Sequence, residues 1–459
     1  MKYIITIFSC CCIFTLACKK QDEWLDKKSN KADITPTTLE DCQALLDNDA
    51  IMNANYPALG IIGTDNFYVT FDNWQAAPTA VERNAYLWAD DVYEGRELLD
   101  WNAQYQKVEY ANVVIDALEN IEANANSQAQ WNGIKGAAMF HRAFAFYNLV
   151  QLFAKPYIDA SARTDLGIPL RLSSDVNIKS TRSTVYETYD RIIKDLKEAE
   201  NLLPSTTGYK TRPTKTAVQA LLARVYLVME DYDNAKLYAQ AALTAVDTLI
   251  HFKDLSTTAN FPFPTFRNNN PEVIFHAQTI LYLLTTSLGN RAIVDSALFE
   301  SYKDGDLRKT IFYRVSSGVP VFKGQYTAGY NFFGGLATNE LYLILAEANA
   351  RMGKKDEAMT AINTLLQKRW ESSLFVPLSA LDAEDALKQI IAERRKELPF
   401  TGCLRWEDLR RLNKESNFAT TIVRKLNGQT YTLAPNDEKY VFPIPDDEIR
   451  LSGIQQNPR

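Results

Sequence analysis

The sequence predicts a mainly α-helical protein, built of stacked helix pairs and carrying an irregular, loop-rich part with short strands. Three observations carry that prediction. Two stretches repeat each other at an offset of 123 residues, Ala223 against Ala346 and Ala235 against Ala358. Several other runs place apolar residues at helical spacing, with capping residues before them or proline behind. Two stretches, 53–90 and 251–335, lose that period and collect aromatic residues, Pro and Gly instead.

The first segment is a leader. Lys2 is a minimal basic region, and Tyr3 to Ala17 is an apolar run of 15 residues, short of the roughly 20 that span a bilayer. It ends in Thr15-Leu16-Ala17-Cys18, where a small residue before Cys marks lipoprotein processing, although Thr15 stands where Leu is usual. Residues 1–17 are therefore read as a signal peptide and Cys18 as the acylated N-terminus, a bilayer anchor. Residues 18–37 follow as a lipidated start and polar linker, beginning Lys19-Lys20-Gln21-Asp22-Glu23. Of six cysteines, Cys10, Cys11 and Cys12 lie in the leader. Cys42 and Cys403 remain, and they are expected to be independent thiols rather than a disulfide framework.

The body, 38–459, opens with a short helix from Thr38 to Asp49, capped by Thr38 with Asp41 three places on. A helix from Tyr93 to Glu122 follows the aromatic stretch. Another runs from Gln128 to Phe153, with Ser127 as its cap, and a third from Ser183 to Leu203, capped by Ser183 or Thr184 and stopped by Pro204. The repeated stretches come next. Leu222, Ala223 and Tyr226 precede an Asp231-Tyr232 turn, and Ala235, Ala239 and Ala242 follow it. In the second copy Leu345, Ala346 and Asn349 precede Gly353-Lys354-Lys355, and Ala358, Ile362 and Leu365 follow. This resembles the tetratricopeptide helix–turn–helix unit, in which small residues let two helices approach and the pair stacks on its neighbours. Asn349 stands where an aromatic is expected. The helical repeats are placed at roughly 93–250 and 337–411, the last with an amphipathic helix from Ala383 to Leu398, and the tail reads as extended and Pro-rich.

No catalytic signature accompanies these elements. His141, His251 and His276 have no zinc spacing, and His141 sits in an apolar helix as a packing residue. There is no Gly-x-Ser-x-Gly elbow, phosphate loop or complete calcium loop. The net charge of −6 at pH 7, without a basic stripe, argues against nucleic acid. We read no catalytic residue, cofactor or metal from the sequence.

Five stretches resemble the SusD/RagB family of nutrient-uptake lipoproteins. They are Gly136 to Phe153, similar to the family's early Arg-Ala-x-x-Tyr-x-x-Leu helix; Ala220 to Tyr226 with Asp231-Tyr232; Glu340 to Ala348; Glu393-Arg-Arg-Lys-Glu-Leu-Pro-Phe400 with Gly402 and Arg405-Trp-Glu-Asp-Leu-Arg-Arg411; and Phe442-Pro-Ile-Pro445 with Gln456-Asn-Pro458. The resemblance implies a single domain over 38–459 with no enzymatic role. It implies a surface lipoprotein of the outer membrane, held by its lipid, and a partner, a SusC-like TonB-dependent barrel over which the lipoprotein sits as a lid. The ligand would be an oligosaccharide, or alternatively a peptide or protein fragment; a scaffold that binds no ligand is the other reading. From its residues the Glu393–Arg411 motif reads as a structural clamp, through i,i+3 and i,i+4 ion pairs and a guanidinium of Arg405 or Arg410 over Trp406.

Glycan-binding members of the family use exposed aromatic faces with amides and charges around them, in loops that no motif marks. The candidates are Asp65, Asn66, Tyr68, Asn73, Trp74 and Trp88 in 53–90, and Tyr326 and Tyr330 in 251–335.

Overall fold

The computed structural model describes residues 36–266, 270–286, 291–324 and 326–459; the leader and Cys18 lie outside them. Nine helices of the described residues organise the rest: α1 (Leu99–Leu118), α2 (Gln128–Phe153), α3 (Val185–Leu202), α4 (Lys215–Val228), α5 (Tyr232–Ala245), α6 (Thr338–Arg351), α7 (Lys355–Leu366), α8 (Ala383–Glu397) and α9 (Leu404–Leu412). Each of α1 to α6 packs on the next, and α6 also meets α8. The two expected pairs are present, α4 with α5 and α6 with α7, and α2 packs on α3 in the same way.

The alanines explain the close pairing. Ala223, Ala235, Ala239 and Ala242 are fully buried between α4 and α5, and Ala346 and Ala358 repeat the arrangement between α6 and α7. In the first unit Tyr226 stacks on Tyr238, with centroids 5.6 Å apart. Asn349 has no such ring partner role; its amide donates to the Leu345 carbonyl at 3.0 Å. Helix α2 is the central strut. From Gly136 to Phe153 only Asn148 escapes full burial, as expected of a helix that is apolar on every side.

Several boundaries differ from the sequence reading. The helix expected from Tyr93 starts at Leu99, because Glu94 and Gly95 both adopt positive φ, 51° and 68°, and break the helical path. Ser127 precedes α2 without capping it; its hydroxyl accepts instead from the Asn124 N–H at 2.9 Å. Thr184, not Ser183, caps α3 in a reciprocal box with Glu187. The Thr38–Asp41 box forms as expected. The tail is less extended than expected: Ile422–Leu426 pairs antiparallel with Gln429–Leu433, and a helix follows at Asp446–Ser452.

The loop-rich part contains short antiparallel pairs, as expected. Phe67–Tyr68 pairs with Ile293–Val294, Val273–Phe275 with Leu336–Ala337, and Tyr313–Ser316 with Val319–Phe322. The first pair joins the two irregular segments to one another. Short helices at Leu59–Gly63, Phe71–Gln75 and Ala80–Tyr86 also interrupt the stretch read as loop. Among the described residues no helix is long and apolar enough to cross a membrane.

Candidate functional site

The Glu393–Arg411 motif ties α8 and α9 to the loops. Arg394 reaches Asp408 at 2.8 Å, and Arg411 bonds both Asp408 and Glu347. Glu393 and Glu397 face Arg308 from α8, and Arg369 spans Glu397 at 2.9 Å and Glu272 at 3.0 Å. Tyr326 closes this cluster by donating its hydroxyl to Glu272. Removing such charges from water is expensive, and the geometry compensates because Arg308, Arg369, Arg394 and Arg411 each meet at least one carboxylate. The clamp is therefore structural, but Trp406 is not covered by a cation as expected. Arg405 turns to Asp65 and Arg410 to the Ala154 carbonyl. Trp406 packs instead on Tyr440 and Phe442, at 4.8 and 5.3 Å, and a Cβ at Gly63 would lie 2.6 Å from its ring.

The eight candidates divide sharply. Asp65 receives Arg405 at 2.7 Å and also Arg395. Burial pushes its carboxyl up, and the Arg405 and Arg395 charges outweigh that, holding it well below the usual range. Its bonding capacity goes to the clamp. Asn66 is buried, and its backbone carbonyl accepts from Asp295 N–H at 2.9 Å. Trp88 is 1% exposed, donates its indole N–H to the Gly63 carbonyl at 3.1 Å, and lies 4.4 Å from the Arg424 guanidinium. Tyr326 is buried in the Glu272 cluster. Asn66, Trp88 and Tyr326 offer no free face to a ligand, and Asp65, though partly exposed, spends its carboxylate on Arg395 and Arg405.

The other four reach solvent. Tyr68 is 42% exposed at the end of its short strand, and Tyr330 is 43% exposed beside Phe261, 5.4 Å away. Trp74 is half-buried against Phe71, 5.7 Å between centroids, with its N–H on the Arg83 carbonyl at 3.0 Å. Asn73 is half-buried as well, its amide 3.4 Å from the Arg291 carbonyl. Tyr68 lines an open groove of about 570 Å³ with Asp295, Ser301, Arg395, Lys396 and Thr421. Trp74 and Tyr330 do not line it. The groove joins residues from four distant segments, and of its lining the sequence singled out Tyr68 and the partly exposed Asp65. An exposed ring beside hydroxyls and charges can stack on a sugar face and hydrogen-bond its hydroxyls.

A few buried ionisable groups lie apart from that groove. Burial lowers Lys107 to about 7 and His141 to about 3. Lys107 donates to the Ala103 carbonyl at 3.3 Å and faces the Tyr56 ring. No group of three or more His, Cys, Asp or Glu suited to a metal occurs among the described residues. Cys42 and Cys403 are both free thiols, as expected.

Stacked helix pairs with a groove built from inserted loops define a helical-repeat scaffold of the ligand-binding kind. The comparisons with known proteins agree. Residues 23–227 match a family described as starch-binding and associating with the outer membrane, and residues 338–459 match the SusD family itself. The SusD-like protein P2 of Formosa agariphila is 25% identical over 82% of both chains. A SusD superfamily protein from Bacteroides vulgatus shares the fold with a TM-score of 0.73 at 23% identity, covering 92% of this chain and 99% of its own. A SusD-like carbohydrate binding protein from the same organism gives 0.66 at 21%, covering 91% and 97%. The chain belongs to the SusD/RagB family.

Proposed function

We propose that this protein is a surface lipoprotein of the outer membrane, anchored through Cys18, that binds oligosaccharide in the groove beside Tyr68 and passes it to a SusC-like TonB-dependent barrel. The observation that carries the reading is the exposed Tyr68 ring at the mouth of a groove lined by Ser301, Thr421, Arg395 and Lys396, in a chain of this family. A groove of this size lies within the roughly 300–1,000 Å³ typical of small-ligand sites. The names borne by related proteins, starch-binding and carbohydrate binding, support glycan as the ligand class.

Calorimetry with a panel of neutral oligosaccharides and short peptides tests the ligand. Tyr68→Ala is expected to weaken glycan binding about fivefold to tenfold, the loss of one stacked ring of roughly 1 kcal/mol. Binding of peptides alone would replace glycan with peptide. No heat from either set would leave a scaffold. Cys18→Ala tests the anchor: a folded, ligand-competent protein should leave the outer-membrane fraction when expressed without a partner, and continued fractionation there would discard the lipid.

A further inference from the structure

The groove beside Tyr68 holds one acceptor that the fold leaves unspent. Asp295 lines it, with 35% of its side chain exposed. The strand pairing sets Tyr68 opposite Ile293 and Phe67 opposite Val294, and the Asp295 N–H donates to the Asn66 carbonyl at 2.9 Å. Asp295 therefore stands two residues past the partner of Tyr68, on the same face of the ribbon, because side chains alternate along a strand. Diagonal neighbours of this kind lie about 7–8 Å apart, close enough for one sugar unit to touch both.

One oxygen of this carboxylate is fixed and the other is free. Oδ1 accepts the Leu298 N–H at 2.9 Å and lies 3.5 Å from Arg395. Oδ2 accepts from no group among the described residues. The bond to Leu298 sets the orientation of the carboxylate, so Oδ2 meets a ligand already in place. Neighbouring groups of the groove are committed elsewhere. Asp65 takes Arg405 and Arg395, and Lys396 pairs with Glu393. The Ser301 hydroxyl donates to the Leu298 carbonyl at 2.6 Å, which leaves its oxygen only as an acceptor for a ligand. Beside the exposed ring, Asp295 and Ser301 thus present acceptors, and sugar hydroxyls supply the matching donors.

We propose that Asp295 is the specificity-determining residue of this groove, its Oδ2 accepting hydroxyl hydrogens from the sugar unit that stacks on Tyr68. This role rests on the glycan reading of the groove and narrows it. A hydroxyl bonds a carboxylate more strongly than it bonds a neutral acceptor. An analogue without that hydroxyl desolvates the oxygen and leaves it unpaired, so the site discriminates more sharply than an apolar pocket of the same size. Sugars with a free hydroxyl at the contacted position bind, and those deoxygenated there bind more weakly.

Calorimetry with maltohexaose, xylohexaose, mannohexaose and laminarihexaose identifies a sugar bound by the parent protein, and monodeoxy analogues of that sugar locate the contact. Asp295→Asn keeps an oxygen for the Leu298 N–H but turns an amide toward the ligand. Asp295→Ser keeps the same bond and withdraws the carboxylate from the groove. Each variant should bind about tenfold or more weakly, with little change in melting temperature. One deoxy analogue should lose about tenfold on the parent and less than about twofold on both variants, a coupling that altered stability alone does not produce. If none of the four sugars binds, the glycan reading falls and the role of Asp295 falls with it. If a sugar binds parent and variants alike, or every deoxy analogue loses equally on all three, the glycan reading stands and the assignment of Asp295 is overturned.

Discussion

Two regions at opposite ends of the same motif bury arginine to the same depth with opposite results. At the foot of α8, Arg308 and Arg369 are fully enclosed, and four carboxylates, from Asp306, Glu272, Glu393 and Glu397, share them. At the end of α9, Arg410 meets one carbonyl and the floor of a cleft. The first region is closed chemistry: every donor is used, and it fastens a loop insertion to the helical stack. In the second, Nε and Nη1 find no acceptor among the described residues, and Tyr189 and Glu407 act on the guanidinium only through their field. Burial by itself therefore does not tell how a cation is compensated; what decides it is whether carboxylates have been folded into direct contact with it.

The comparison is broken most severely by removing a partner from the closed cluster. Arg369→Met leaves Glu272 without a cation and Glu397 with Arg308 alone, and is expected to lower stability by about 3–5 kcal/mol in urea unfolding. Burial already raises Glu272, against the pull of Arg369, so the variant should take up protons on folding at mildly acidic pH. A destabilisation below 1 kcal/mol, on the order of an exposed pair, would mean that the cluster is not the closed unit its geometry describes.

Lys107 gives the next effect, in the opposite direction. It is a buried cation without a carboxylate, and burial lowers it from an ordinary 10.5 to about 7. Between these values the unfolded chain binds a proton that the folded chain does not, so this group's contribution to stability rises with pH from about 7 to 10.5. Lys107→Met should accordingly be more stable than the parent near pH 7, by a few kcal/mol at most. The difference in urea midpoint should shrink as pH approaches 10. A constant difference across that range would remove the titration from the account.

Asp65 tests a carboxylate serving two cations. Asp65→Asn leaves Arg395 with Asp295 at 3.5 Å and Arg405 without an ion pair. An expected loss of about 1–3 kcal/mol, read by thermal or urea unfolding, reflects its partial exposure. The smallest effect belongs to the open region. Arg410→Gln deletes a charge with which no carboxylate of the described residues makes an ion pair, and its unfolding free energy should stay within about 1 kcal/mol of the parent. A loss as large as that of Arg369→Met would place Arg410 in the closed class.

The helical repeats were readable because their cause is local. The alanines of α4 to α7 recur at helical spacing, and Thr38, Thr184, Asp231 and Pro204 punctuate the chain where the structure starts or stops helices. The start of α1 was misjudged by six residues, since the left-handed turn at Glu94-Gly95 interrupts a run whose apolar pattern continues through it. The ligand candidates were less readable. Trp88 and Tyr68 carry similar credentials in sequence, an aromatic in an irregular stretch. Only the fold sends Trp88 under Arg424 and leaves Tyr68 at the surface.

Composition, periodicity and five ordered motifs were enough to determine a mainly helical, repeat-built member of the SusD/RagB family, because helix formation and close pairing depend on residues a few places apart. The two clefts were decided by tertiary structure alone. The groove beside Tyr68 joins residues near 68, 295–301, 395 and 421, and the other joins 155–166 to 410–414 and 436–458. Arg410 and Arg411 are adjacent and chemically identical. A helix turns successive side chains about 100° apart, so Arg411 falls on Glu347 and Asp408 while Arg410 falls on the cleft. Nothing in the order of residues states which neighbour will be there.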